Sequence, residues 1–207
     1  TAAHDLYSGS CRIFNEKEVD ELVILDIGAS TRNFIDYELI KSMVSEAFMP
    51  ISYGGGVKNL EQIKLLIRQG IEKIIVNSAA FGNGQFIKQA VEIFGKQAIV
   101  GCIDVRKGLL GGYSIYTKNA TEKLDVKLED HICKLVNLGV DEIIINDISR
   151  DGLMQGYDIA LIKQVTNIVD IPVTICGGAG KFEHLLEAKD KTHISGLAAG
   201  SMFIYQG

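Results

Sequence analysis

The stretch MPISYGGG at residues 49–56 returns in altered form as IPVTICGG at residues 171–178. The chain contains two prolines, Pro50 and Pro172, and they occupy matching positions of the two stretches, 122 residues apart. A repeat of this length exceeds the period of solenoid proteins and is typical of a domain built from two similar halves. Such a duplication also predicts two related binding sites.

Two further correspondences extend the repeat beyond one loop. Asp26 and Asp147 each end a run of apolar residues, and they lie 121 residues apart. Residues 77–80, with the sequence NSAA, correspond to residues 198–201, with the sequence AAGS. The repeat therefore covers most of the chain.

Short apolar runs alternate with amphipathic segments of helical period. The pattern predicts strands at 22–27, 50–54, 73–77, 98–104, 142–147, 172–176 and 194–199, and helices at 35–47, 59–70, 84–95, 126–139, 158–169 and 181–189. Regular alternation is typical of a parallel sheet made of β/α units. Because an open sheet has no reason to repeat at half its length, we predict an α/β fold, a (β/α)8 or TIM barrel. The second half supplies four strands and the first supplies three, so an eighth strand should precede residue 10. Residues 1–9 do not resemble an apolar strand, so we expect either that the first strand is missing from this chain or that the barrel is open at one seam.

Because 47% of its 207 residues are hydrophobic, the chain can bury one substantial core, which predicts a single barrel domain over residues 1–207. The count of predicted elements indicates that this domain is incomplete at its N-terminus and in its last helix. The net charge of −5 and the scattered basic residues argue against a nucleic-acid partner. No apolar run approaches the roughly 18 residues of a membrane span, and we expect a soluble, cytoplasmic protein. The four cysteines lie far apart without C-x-x-C spacing, which argues against a zinc site or a disulfide framework.

Two glycine clusters, at residues 54–56 and 177–180, each follow a predicted strand and precede a predicted helix. Bare backbone N–H groups at such a position can bind an anion, and the helix terminus adds a favourable field. Residues 77–78 and 200–201, at the ends of the next strands, complete two equivalent cradles. Ordinary turn chemistry is the alternative for either loop alone. Their duplication favours an elongated substrate with a phosphate at each end.

Three carboxylates follow strands near this face of the barrel: Asp26, Asp104 and Asp151. A general base needs both ionisation and reach, and a strand-end carboxylate between two phosphates has both. Asp104 is our first choice, and the alternative is that it caps a helix or turn. Asp151 and Gly152 fit the second phosphate loop better. Arg106 and Lys107 are candidates to assist the substrate, and the alternative for a loop lysine is that it is simply solvated.

Charged residues also stand where three strands begin, at Glu21, Lys73 and Glu142. Isolated surface charges are the default interpretation at such positions. An ion-paired ring around the barrel mouth is the alternative, and the sequence alone does not choose between them.

Several motifs together resemble the cyclase subunit of imidazole glycerol phosphate synthase, a (β/α)8 barrel. The similarity runs from about Arg12 to Phe203. It is carried by residues 25–27, 54–57, Lys73, 77–80, 103–105, 150–152, 156–158 and 177–181. The half-barrel repeat is itself a feature of that family.

The resemblance implies an activity and a partner. The family uses ammonia from a glutaminase subunit, docked at the amino-terminal face as a heterodimer, to cleave and cyclise a bisphosphorylated ribulosyl aminoimidazole carboxamide ribotide. It makes imidazole glycerol phosphate for histidine biosynthesis, together with the carboxamide ribotide of purine synthesis. An aspartate pair acts as general acid and base, without metal or organic cofactor.

The family's functional residues map onto matching positions of this chain. Asp104 matches one of the two catalytic aspartates. The first phosphate site corresponds to Gly56, Asn77 and Ser78, and the second to Asp151, Gly152, Gly178, Gly200 and Ser201. The charged gate through which ammonia enters the barrel corresponds to Glu21, Lys73 and Glu142.

The chain also departs from the family pattern. The family's other catalytic aspartate belongs to the first strand, which is expected to be missing here together with the arginine of the gate, so the chain as written is expected to be a poor cyclase. Ser149 and Asn146 replace a usual aspartate and a frequent threonine. Residues 12–22 and 45–50 resemble a divergent branch linked to surface polysaccharide, whose members pass ammonia to a sugar amidotransferase that makes acetamidino groups. A third alternative is a phosphate-binding isomerase barrel, although an isomerase needs no charged ammonia gate.

Overall fold

Seven parallel strands form the central sheet of the computed structural model, which describes residues 11–109 and 111–205. The strands are β1 (Leu22–Leu25), β2 (Ile51–Gly54), β3 (Lys73–Val76), β4 (Ile99–Lys107), β7 (Ile143–Asp147), β8 (Val173–Cys176) and β9 (Gly196–Ala198), and they pair in that order; β5 (Tyr113–Thr117) and β6 (Glu122–Lys123) lie beside β4. The helices are α1 (Ile27–Arg32), α2 (Tyr37–Glu46), α3 (Leu60–Arg68), α4 (Ser78–Gly82), α5 (Gly84–Phe94), α6 (Leu128–Asn137), α7 (Ile159–Thr166), α8 (Phe182–Lys191) and α9 (Ser201–Tyr205). Residues 11–16 are also helical.

All seven predicted strands and all six predicted helices are confirmed, with small shifts at their ends. The order of parallel strands and crossover helices is that of a (β/α)8 barrel. The predicted eighth strand lies outside the described residues. Among those residues, no helix is long and apolar enough to span a bilayer.

A hairpin after β4 was missing from the prediction. β4 continues to Lys107, and β5 (Tyr113–Thr117) and β6 (Glu122–Lys123) follow as antiparallel strands. We call this unit of β4, β5 and β6 the hairpin, and the turn between β5 and β6, at residues 118–121, its tip. Gly111 and Gly112 both have positive φ, and the Gly108 N–H donates to the Gly112 carbonyl at 3.0 Å. The glycines therefore build a turn that reverses the chain, where the β/α rule had predicted a direct connection to a helix.

The repeat is visible in equivalent contacts of the two halves. The Leu22 N–H donates to the Pro50 carbonyl at 2.9 Å, and the Ile143 N–H donates to the Pro172 carbonyl at 3.0 Å. These bonds join β1 to the start of β2 and β7 to the start of β8. The matching prolines thus occupy the same place in each half, directly before a strand, where proline's missing backbone N–H removes no hydrogen bond from the interior of the ladder.

Side chains alternate between two apolar layers because successive residues of a strand point to opposite faces. The large layer packs the strands against the helices. The small layer lies inside the barrel and consists of Val23, Ile75, Val100, Cys102, Ile144 and Cys176. Stepping by two residues from this layer leads to Glu21, Lys73 and Glu142 at one end and to Asn77, Asp104 and Asn146 at the other.

His131, on α6, is buried with 1% of its surface exposed, and its ring stacks on that of Phe81 at a centroid distance of 3.9 Å. Its Nε2 has no hydrogen-bond partner among the described residues. Burial and the nearby Lys134 lower the pKa of His131 from 6.5 to about 4. In the unfolded chain His131 binds a proton below about pH 6.5, whereas in the folded protein it does so only below about pH 4. The free energy of unfolding therefore decreases as the pH falls from 6.5 to 4.

We expect His131→Phe to remove this loss, because a phenyl ring can keep the stack and does not titrate. Between pH 7 and pH 4, the wild type should lose about 2–3 kcal/mol more free energy of unfolding than the variant. Urea unfolding of both proteins at pH 7, 5.5 and 4 measures this difference. All other titrating groups are shared, so parallel pH curves would contradict the assignment.

Candidate active site

A cavity of about 700 Å³ opens at the carboxyl ends of the strands. Its lining includes residues from β1 to β8 and the tip of the hairpin: Leu25, Asp26, Ile27, Gly54, Gly55, Gly56, Val57, Lys58, Ile75, Val76, Asn77, Ser78, Ala79, Cys102, Asp104, Arg106, Asn119, Ala120, Asn146, Ile148, Asp151 and Cys176. This is the end of the barrel where the sequence placed the chemistry. The cavity also extends down to the apolar inner layer, through Ile75, Cys102 and Cys176.

Asp104 lies in the wall of this cavity and is 9% exposed. Its two carboxylate oxygens accept hydrogen bonds from the side-chain amides of Asn77, at 2.9 Å, and Asn146, at 2.8 Å. Burial raises the pKa of Asp104 above its ordinary value of 3.8, and the two amide bonds offset part of that rise. Asp104 falls within β4, so it caps no helix. The arrangement holds a carboxylate that can take and return a proton.

The other two strand-end carboxylates have different surroundings. Asp26 caps α1 by accepting from the Ala29 N–H at 2.9 Å, and it pairs with Arg32 at 3.1 Å. Asp151 is exposed at the cavity wall, and its N–H donates to the Asp147 carbonyl at 3.1 Å. Asp26 therefore has a structural task that Asp104 lacks.

The first predicted cradle lies in the cavity wall, where Gly56, Asn77 and Ser78 come together. Gly56 has φ of +68°, a conformation that favours glycine. The Ser78 hydroxyl accepts from the Thr117 hydroxyl at 2.7 Å and from the Lys118 N–H at 3.3 Å. The tip of the hairpin thus closes over this cradle.

The second predicted cradle is more open. Of its five residues, Asp151 lines the cavity, whereas Gly152, Gly178, Gly200 and Ser201 lie outside the lining. A Cβ atom added to Gly152 or Gly200 would meet no other atom within 4 Å. At Gly178, with φ of +104°, an added Cβ would overlap the Gly156 carbonyl. The Gly156 N–H also donates to the Gly178 carbonyl at 2.7 Å.

The charged set at the opposite end of the barrel is ion-paired. Lys73 Nζ lies 2.8 Å from a carboxylate oxygen of Glu21 and 2.8 Å from one of Glu142. The Ser52 hydroxyl donates to the other Glu21 oxygen. Burial alone would lower the pKa of Lys73, but the bonds to Glu142 and Glu21 hold the pKa above its ordinary value. The ion-paired interpretation is therefore confirmed over that of isolated surface charges.

Sequence reasoning gave Asn146 and Asn119 no role in the cavity, whereas it named Arg106 as a candidate to assist the substrate. Asn146 orients Asp104, Arg106 follows it by two residues on β4, and Asn119 lies in the hairpin tip, where its side-chain amide donates to the Ile27 carbonyl at 2.9 Å. Alternation along β7 from Glu142 through Ile144 could have found Asn146. The hairpin residues carried no signal before the hairpin itself was recognised.

The described ranges contain no group of three His, Cys, Asp or Glu side chains that could hold a metal ion. The described cysteines, which include all four of the chain, are free thiols. Burial raises the pKa of Cys176 to about 11 and also raises the pKa of Cys102. Both thiols in the cavity wall are therefore protonated at neutral pH.

Several known proteins are similar to this chain, and their names agree with one another. One relative, from Pseudomonas aeruginosa and named "Putative imidazole glycerol phosphate synthase subunit hisF2", is 44% identical over 197 residues, or 95% of this chain and 78% of that protein. A second, from Vibrio vulnificus and named "Putative imidazole glycerol phosphate synthase subunit hisF3", is 40% identical over 198 residues, 95% and 76% of the two chains.

A third relative, from Alkaliphilus metalliredigens, is named "Imidazole glycerol phosphate synthase subunit HisF". It is 33% identical over 195 residues, which cover 94% of this chain and 77% of that protein. The family model described as "Histidine biosynthesis protein" matches residues 5–207. With these relatives and a match over nearly its whole length, the chain belongs to the histidine biosynthesis protein family.

Proposed function

We propose that the chain is the cyclase subunit of an imidazole glycerol phosphate synthase. It would use ammonia from a glutaminase subunit to convert a bisphosphorylated ribulosyl aminoimidazole carboxamide ribotide to imidazole glycerol phosphate and the carboxamide ribotide. The relatives named as subunits of that synthase support the proposal.

The observation that carries the proposal is the arrangement of groups along the barrel axis. Ion-paired Lys73 lies at one end, Asp104 lies at the other, and an apolar inner layer separates them. A neutral molecule as small as ammonia can cross apolar surroundings, where a charged group pays a large desolvation cost. The charged end and the reactive end are thus linked by an interior that suits ammonia.

In the proposed mechanism, the cradles bind the two phosphates of the substrate. Asp104, which lies between the cradles, acts as the general base and acid. Ammonia attacks the carbonyl carbon of the bound ribulosyl group, the Asp104 carboxylate accepts a proton from the adduct, and the carbonyl oxygen leaves as water as the imidazole ring closes. Asp104 returns the proton to the nitrogen of the carboxamide ribotide as its bond to the rest of the substrate breaks. Asn77 and Asn146 hold the carboxylate in one orientation through this exchange. The second catalytic aspartate of the proposal lies outside the described residues.

The glutaminase would dock at the amino-terminal face, around Glu21, Lys73 and Glu142. Phe48, in the loop before β2, lies at the same end of the barrel and is 90% exposed. Asn15 fixes this loop by donating to the Glu46 carbonyl at 2.8 Å and accepting from the Phe48 N–H at 2.9 Å. A large apolar side chain on a fixed loop suits a protein interface.

A second candidate function is favoured by the sequence identities to the relatives, which are higher for the proteins named hisF2 and hisF3 than for the one named HisF. The chain is 44% and 40% identical to the proteins named hisF2 and hisF3, against 33% for the A. metalliredigens HisF. In this alternative, the barrel conducts ammonia to a separate sugar amidotransferase that makes acetamidino groups. The phosphate cradles would then serve docking or regulation and not cyclisation.

Turnover of the bisphosphorylated ribotide by the full-length protein, with saturating ammonium salt and no glutaminase, tests the proposal. Formation of imidazole glycerol phosphate supports a working cyclase. Binding of the ribotide without product would overturn the cyclase proposal and favour the ammonia-conducting alternative.

Lys73→Ala should reduce glutamine-dependent turnover about 10-fold or more while leaving turnover with ammonium salt within about 2-fold. The reason is that the variant leaves Glu21 and Glu142 facing each other without their shared cation, at the end where the glutaminase delivers ammonia. Lys96→Ala is the control, because Lys96 pairs with Asp141 at 3.0 Å beside the start of β4 and is more exposed. Equal losses in both assays would contradict a gate.

A further inference from the structure

The cavity offers few cationic side chains to an anionic ligand. Its lining contains three carboxylates, Asp26, Asp104 and Asp151, of which Asp26 is paired with Arg32, and two cationic side chains, Lys58 and Arg106. Lys58 is engaged, since its Nζ donates to the Asn33 side-chain oxygen at 2.6 Å. A phosphate ester carries about −1.5 to −2 charges at neutral pH, and the backbone N–H groups of the cradles are neutral. A bisphosphorylated ligand therefore needs the charge of a cationic side chain in this wall that no other residue engages.

Arg106 is the cation in this lining whose side chain has no ion pair or hydrogen bond to any described residue. Its guanidinium carbon lies 4.4 Å from the centroid of the Tyr116 ring. Such stacking orients the guanidinium through the ring face and leaves its N–H edges directed outward. Those edges can form a paired contact with two oxygens of one anion.

The strand register explains why Arg106 reaches the cavity. Asp104 is paired with Tyr116 and Arg106 with Ser114 across β4 and β5, so the four side chains share one face of the hairpin. Asp104 stands in the cavity wall, and Arg106 follows two residues nearer the mouth. The hairpin thus presents an arginine above the reactive carboxylate.

The adjacent Lys107 makes a useful contrast. It points to the other face of β4, where its Nζ lies 2.8 Å from Asp158, the residue that caps α7. Lys107 also lies over the Tyr113 ring, at 5.7 Å from the centroid. Its charge is therefore used in joining the hairpin to α7, outside the cavity lining.

We propose that Arg106, oriented by Tyr116, is a substrate-binding residue that contacts a phosphate group of the ligand in this cavity. The inference rests on the proposed function for the identity of the ligand, the bisphosphorylated ribotide. The hairpin then has a role in recognition besides closing the first cradle: it supplies the positive charge that the glycine loops lack.

Calorimetric titration of the ribotide into the full chain tests the inference. Arg106→Gln should raise the Kd about 10- to 50-fold, and Arg106→Lys should raise it less, because lysine keeps the charge but lacks the planar pair of donors. Tyr116→Phe keeps the ring and should bind like the wild type, whereas Tyr116→Leu should raise the Kd about 3- to 5-fold. Lys107→Gln is the matched loss of one positive charge and should change the Kd less than 2-fold.

The outcomes separate this inference from the proposed function. If the wild type binds the ribotide and Arg106→Gln binds it equally well, the role of Arg106 is overturned while the function stands. If the wild type does not bind the ribotide, the proposed function fails, and inorganic phosphate becomes the probe. A weaker phosphate affinity in Arg106→Gln than in Lys107→Gln would still support the inference, and equal affinities, or no binding to the wild type, would overturn it.

Discussion

Asp104→Asn should lower kcat for ammonia-dependent cyclisation by about 10²–10⁴-fold and change the Kd for the ribotide less than 3-fold. The substitution removes a proton acceptor and keeps the shape of the side chain. It also leaves the cavity intact, because Asn77 can rotate its amide so that its oxygen faces the new NH₂ group. That oxygen is buried and has no hydrogen-bond partner in the part of the chain that the structure describes, so the rotation loses no hydrogen bond there.

The pH dependence of kcat gives a second measurement on the same group. Since burial raises the pKa of Asp104, turnover should fall as the pH is lowered through a midpoint above 3.8. Asp26→Asn is the comparison within the cavity, and we expect it to cost less than 10-fold because Asp26 is engaged with Ala29 and Arg32. Turnover that survives in Asp104→Asn would remove Asp104 from the mechanism.

Gly56→Val should weaken binding of the ribotide at least 10-fold and destabilise the fold by about 2–4 kcal/mol. Gly56 has φ of +68°, which a β-branched residue adopts only with strain, and an added Cβ lies 3.0 Å from that of Ala29. The side chain would also fill part of the first cradle. Calorimetry gives the affinity, and urea unfolding gives the stability.

Gly70→Val separates strain from obstruction. Gly70 has φ of +100°, its added Cβ meets Val44, and it lies outside the cavity lining, after α3. It should lose comparable stability and bind the ribotide normally, and the smaller Gly56→Ala serves if the valine variant does not fold. Equal ribotide affinity in the Gly56 and Gly70 variants would refute the phosphate assignment of this loop.

Local patterns were sufficient to predict the repeated elements. Apolar strands alternate with amphipathic helices such as α3, whose Ile63 and Leu66 are fully buried, and these features depend on neighbours in sequence. The hairpin after β4 was missed for a corresponding reason. Its strands are short and stabilised by pairing with β4, and its glycine turn resembles any other loop until the pairing is known.

The sequence by itself determined the barrel, its two halves and the end at which polar residues gather, because strand periodicity and a 122-residue repeat are properties of the linear chain. Only the tertiary structure decided how those residues are used. It paired Lys73 with two glutamates, placed Asp104 between two asparagines and turned Arg106 into the cavity while Lys107 faces α7. The contacts of Lys73 and Asp104 join residues that are 27 to 69 positions apart in sequence. They depend on register between strands, which is fixed when the whole sheet packs against its helices.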